Sequence, residues 1–168
     1  MRNGAAMQEA LAYNDIIDSF YRKLVDLLRL HKSIVPVLKD ELNSIISADT
    51  GALDECLREL QALTLQIRAL EKESEEILLA NGISTVNLSD LIRQLPAKEQ
   101  TRFLSLKDQF AGCVREITFY KDKCAVMLKT KLFRLEKKQS GAAQNENTDS
   151  KELVDEATPP SKAFEVTV

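Results

Sequence analysis

The residues with the means to do chemistry are few in this chain. His31 is the one histidine, and histidine alone has an ordinary pKa close to neutrality. It falls on an apolar helical stripe, between Leu30 and Lys32. A general base needs a partner, and none is adjacent in sequence, so His31 reads as a packed histidine. The three cysteines are Cys56, Cys113 and Cys124. They are odd in number and form no CxxC pair, which points away from a disulfide framework and from a zinc site. Cys113 and Cys124 are eleven residues apart, about three helical turns. They therefore face the same way and read as reduced core thiols. Glu73, Glu75 and Glu76 look like a metal cluster only in one dimension. Residues one or two apart on a helix point in different directions, and no Glu-x-x-His motif accompanies them. A Walker loop, a Gly-x-Ser-x-Gly turn and a dinucleotide fingerprint are all missing from the sequence. These counts argue against an enzyme and call for no metal or cofactor.

The elements that would position these residues are helical. The chain has 168 residues, of which 44% are hydrophobic and 29% charged, with only 5 Gly, 4 Pro and no Trp. That composition fits one folded domain plus appendages and excludes a wholly disordered chain. No apolar run reaches the ~20 residues of a spanning helix, and the N-terminus has no apolar signal core. The expectation is a cytoplasmic all-α protein without membrane insertion. The net charge is -3. Residues 139–168 carry six acids and two bases, so the remainder is nearly neutral. A neutral body gives no electrostatic reason to bind nucleic acid.

Apolar residues recur at steps of three and four along three segments. The first, about 10–48, carries Ile17, Phe20, Leu24, Leu27, Leu28, Val35, Leu38, Leu42 and Ile45. Pro36 sits within it and predicts a kink rather than an end, because the period continues in phase. Asp49-Thr50-Gly51 offers a stop and the next N-cap. The second segment, about 52–81, repeats Leu53, Leu57, Leu60, Thr64, Ile67, Leu70, Ser74 and Ile77 at a 4-3-4-3 spacing, a coiled-coil seam. Asn81-Gly82 ends it. A short helical piece, 87–94, follows, with Asn87 or Ser89 as its cap. The third segment runs from Pro96, placed at the first helical position, to about Lys138. Helices of this length joined by short turns bury their stripes by lying antiparallel. The expected fold is an elongated antiparallel hairpin or three-long-helix bundle with coiled-coil packing. Residues 1–9 are expected to be a flexible N-terminus, 10–138 the bundle, and 139–168 an acidic disordered tail. The tail's apolar end, Val166-Thr167-Val168, could pair as a strand or dock as a ligand.

The third segment carries a second apolar row. With Cys124 as reference and about 100° per residue, Met127, Leu128, Lys131 and Leu135 lie on the core side. Phe119, Val126 and Phe133 lie at about 220°, 200° and 180°. They are spaced by seven and flanked by Arg115, Asp122 and Lys129. Exposed apolar rows mark interaction sites. The row either meets a partner, with Leu132 sharing the contact, or packs on the first helix or on a second copy.

This layout resembles the FlgN family of flagellar export chaperones. The residues that carry the resemblance are the leucine-rich first helix (DLLRLHKSIVPVLKDELNSI), the close of the second (LEKESEEILLANGIS), the NLSDLIRQLP insert and the last helix (FLSLKDQFAGCVREITFYKDKCAVMLKTKLFRLEKK). The resemblance covers about 16–138. It implies a small cytoplasmic all-α chaperone that holds the hook–filament junction proteins FlgK and FlgL and delivers them to the type III export gate. It also implies that the client binds in the C-terminal region, without nucleotide or metal. The competing readings are a structural coiled-coil protein that associates with itself as a homodimer or larger, a chaperone or adaptor of another secretion system, and, as a third, an enzyme using His31.

Overall fold

The computed structural model describes residues 3–84 and 87–145. Among them are four helices and no strand: α1 (Asn3–Ser47), α2 (Thr50–Ala80), α3 (Leu88–Gln94) and α4 (Ala97–Asn145). The all-α expectation is met. Helix α1 begins at Asn3, before the expected start near Ala10, and α4 continues past Lys138 to Asn145. The tail from 146 onward lies outside the described residues, and with it the Val166-Thr167-Val168 end. The chain divides into two compact units, Met1–Thr130 and Lys131–Val168.

The first unit is held together by stripes on α1, α2 and α4. Ile17, Phe20, Leu24, Leu27, Leu28 and Leu38 of α1 are buried at the expected helical period. Helix α1 runs through Pro36, which is exposed, and the stripe resumes in phase at Leu38 and Ile45. Phe103 of α4 is the most enclosed side chain, at 0% exposure. It stacks on Phe20 at 6.2 Å between centroids and meets Tyr21 edge-on at 5.2 Å. Burying a large apolar side chain stabilises the fold by about 1.5–3 kcal/mol, so this aromatic cluster is a principal anchor. Ser44 and Ser74 are buried with their hydroxyls satisfied, donating to Asp40 O at 2.8 Å and Leu70 O at 2.7 Å.

Cross-helix contacts fix the directions. Lys23 of α1 pairs with Glu73 of α2 at 2.6 Å, while Ser44 near the end of α1 lies beside Cys56 near the start of α2. Helices α1 and α2 are thus an antiparallel hairpin, as expected. Asp18 pairs with Arg102 at 2.5 Å, and Lys39 with Glu116 at 3.7 Å, so α4 runs parallel to α1 and antiparallel to α2. The α2 seam is narrower than the 4-3-4-3 ladder. Cys56, Ile67, Ser74 and Leu78 are buried, but Leu57 is 48% exposed and Thr64 is exposed.

The turns follow from local chemistry. Helix α1 ends in a Schellman motif: Asp49 N–H donates to Ser44 O at 3.0 Å and Ala48 N–H to Ile45 O at 3.3 Å. Ala48 holds the left-handed position, φ 57°. The Asp49 carboxylate then accepts from Ala52 N–H at 3.0 Å and caps α2. Gly82, φ 71°, plays the same part after α2, where Ile83 N–H donates to Leu78 O at 2.9 Å. Asn87 caps α3 by accepting from Asp90 N–H at 3.0 Å. Pro96 precedes α4 as its cap rather than as its first residue, since its carbonyl accepts from Gln100 N–H at 3.1 Å.

Candidate partner-binding surface

The groups that could have done chemistry are occupied by the fold. His31 is half-buried, its ring edge-on to Phe110 at 5.6 Å, and its Nδ1 lies 2.8 Å from Leu27 O. A carbonyl can only accept, so Nδ1 carries the proton and donates. Cys56, Cys113 and Cys124 are all buried free thiols, as expected. Burial pushes each thiol upward, Cys124 to about 11, with the Glu41 carboxylate adding to that shift. Such thiols stay protonated and unreactive at neutral pH. Among the described residues, no group of three or more His, Cys, Asp or Glu is placed to hold a metal. The Arg102 guanidinium is pulled down by burial, but hydrogen bonding and charge from Asp18 and Glu99 outweigh this and push it up. It lies over the Tyr21 ring at 4.6 Å, which makes it a structural cation between α1 and α4.

What the fold leaves open is the outer face of α4. Its inner face is fixed by Phe103, Leu106, Cys113 and Cys124, all buried. Cys124 Sγ donates to Leu38 O at 3.6 Å, so this turn of α4 is oriented against α1. At about 100° per residue, Phe119 and Val126 must then point away from the hairpin. They do: Phe119 is 51% and Val126 65% exposed. The Phe119 ring meets Tyr120 edge-on at 5.2 Å and has Lys123 Nζ over it at 4.3 Å, but its outer surface is open. In the second unit, Leu132 and Phe133 are exposed as well.

One expectation is corrected. Leu128 and Leu135 share the angular side of Cys124, yet both are exposed, and Cys124 is the last buried residue of α4 among the described ones. The buried stripes of α1 and α2 stop at the same end of the hairpin, at Ile45 and Cys56. A helical wheel gives the direction of a side chain and not whether anything stands opposite. Nothing in the spacing marked Leu128 and Leu135 as accessible. The exposed apolar set near the end of α4 is therefore wider than the Phe119, Val126, Phe133 row.

No helix among the described residues is long and apolar enough to cross a membrane. No curated protein and no solved structure matches the chain. The family model described as FlgN protein matches residues 7–152. That span includes the hairpin, the short insert and all of α4. The chain belongs to the FlgN family, whose members are chaperones of flagellar export.

Proposed function

We propose that this chain is a cytoplasmic chaperone for the hook–filament junction proteins FlgK and FlgL and that it delivers them to the type III export apparatus. The observation that carries the reading is the exposure of Phe119, Val126 and Phe133, spaced by seven on α4. A client helix lays its apolar stripe along this row, with Leu132 sharing the contact. A soluble chain gains nothing by displaying two phenylalanines to water. Covering one is worth about 1.5–3 kcal/mol to a complex. A client that orders on binding spends part of that gain as conformational entropy, which keeps the affinity low enough for release at the export gate.

The test is size-exclusion chromatography with light scattering, with the chain alone and mixed with a purified C-terminal fragment of FlgK. A stoichiometric complex is expected. Phe133→Ala, still fully helical by circular dichroism, should weaken it by roughly one to two orders of magnitude. Absence of a complex overturns the client assignment. A complex indifferent to Phe133→Ala and Val126→Ser overturns the site.

A further inference from the structure

The hairpin of α1 and α2 has an open groove on the flank that α4 does not cover. Helix α1 meets α4 through Tyr21 and Lys39. Ser19 and Lys23 lie about half a turn from those positions, at roughly 160–200° round the helix. With Ile16 of α1 and Ile77 and Ala80 of α2, they line a groove of about 640 Å³. Its floor is apolar and unfinished, because Ile16 and Ile77 are only half-buried. Ser19 and Ala80 are small, so a further helix can come close. The charged edges are Asp15, Glu73 and Glu76, with Lys23 the one base among the lining residues. Lys23 is already held by Glu73 at 2.6 Å, and Asp15 joins no ion pair among the described residues.

The sequence carries the same edges along the rest of the hairpin. At intervals of seven, α1 presents Ser19, Asp26, Ser33 and Asp40, and α2 presents Glu59, Gln66, Glu73 and Ala80. These rows hold acids and small or neutral residues and no base. The Lys23–Glu73 pair sets the antiparallel register, which brings Asp26 to the level of Glu73 and Asp40 to that of Glu59. Asp40 and Glu59 join no ion pair among the described residues. Both charges reach the Cys56 thiol and help to push it up, which places them at one level of the crease. Like charges facing one another repel, and cations laid between the two rows would relieve that repulsion.

We propose that this crease seats a basic amphipathic helix of a partner protein other than the client. Its apolar side chains settle on Ile16 and Ile77, in the manner of a helix in a groove. Its Lys and Arg side chains run their stems over the apolar floor and reach Asp15, Asp26 and Asp40 on one shoulder and Glu59, Glu73 and Glu76 on the other. An acidic helix, an anionic lipid surface or a nucleic acid meets its own sign here and is repelled. The charges thus choose the partner and its orientation, while the floor supplies the contact area. The groove lies on α1 and α2 and the client row on α4, so this inference and the client reading can fail separately.

The test is calorimetry of the full chain with a probe peptide of about four helical turns, leucine on one face and lysine on the other. The same peptide with glutamate for lysine is the control. The lysine peptide is expected to bind, more weakly as salt is raised, and the glutamate peptide is not. Asp15→Lys/Glu76→Lys should weaken binding at least about tenfold. Asp54→Lys/Asp108→Lys changes the net charge equally at exposed positions off the crease and should cost less than about threefold. Ser19→Trp fills the groove at constant charge and should weaken binding as the first pair does. Each variant is compared at unchanged circular dichroism and melting temperature. Amide shifts on adding the peptide should concentrate at 15–23 and 73–81. A lysine peptide that does not bind overturns the proposal, as do equal losses from the two charge pairs or shifts centred on α4. A wild-type oligomer broken by Ser19→Trp also overturns it, because a second copy is then the occupant. The FlgK complex should survive Asp15→Lys/Glu76→Lys; its loss would give the groove to the client and overturn the separate partner.

Discussion

Two phenylalanines of α4 should respond in opposite ways to the same truncation. Phe103 is fully enclosed by Phe20, Tyr21 and their neighbours, with 0% exposure, whereas Phe133 is 64% exposed. Phe103→Ala removes a buried ring and leaves a cavity that two long helices cannot close, so the expected loss is about 3–5 kcal/mol. For a domain of this size, that lowers the melting temperature by roughly 6–20 °C. Phe133→Ala removes a ring that is already mostly in water, and the stability change should stay within about 0.5 kcal/mol. Both are read by urea unfolding followed at 222 nm, at a few micromolar chain so that self-association contributes little. The slope with urea must be unchanged for the midpoints to be compared. A loss above about 2 kcal/mol for Phe133→Ala would mean that the ring is packed in solution. That result would refute the assignment of the outer face of α4 to a partner. A loss under about 1 kcal/mol for Phe103→Ala would refute the placement of the core.

Two further predictions follow from local geometry. Folding keeps the buried Cys124 thiol protonated up to about pH 11, against 9.0 for an ordinary thiol. Stability from this group is complete below pH 9 and is lost as the pH rises toward 11, by about 2–3 kcal/mol in the limit. Urea melts at pH 8.5 and 10.5 should show the loss, and Cys124→Ala should flatten the slope, while Cys56 and Cys113, also pushed up by burial, keep a remainder. Ala48 occupies the left-handed position of the first Schellman turn at φ 57°. Ala48→Gly removes that strain and should raise stability by roughly 0.5–1 kcal/mol, visible as a higher unfolding midpoint.

Much of this was legible before any coordinates, because helix ends and buried stripes are written in short-range chemistry. Asp49, Gly82 and Asn87 each perform the stop or cap that their residue type and place suggest. The outward direction of Phe119 and Val126 followed from their angle to Cys124. Two features were not legible, for physical reasons. The α2 ladder was read at a period of 3.5, but a straight helix turns at about 3.6, and the difference accumulates. At about 100° per residue, Cys56 lies some 20° from Ile67, while Leu57 lies some 80° away. The narrow contact with α1 therefore takes the cysteine and leaves the leucine 48% exposed. The exposure of Leu128 and Leu135 depends on where the facing helices stop contributing side chains, a long-range property that periodicity does not encode.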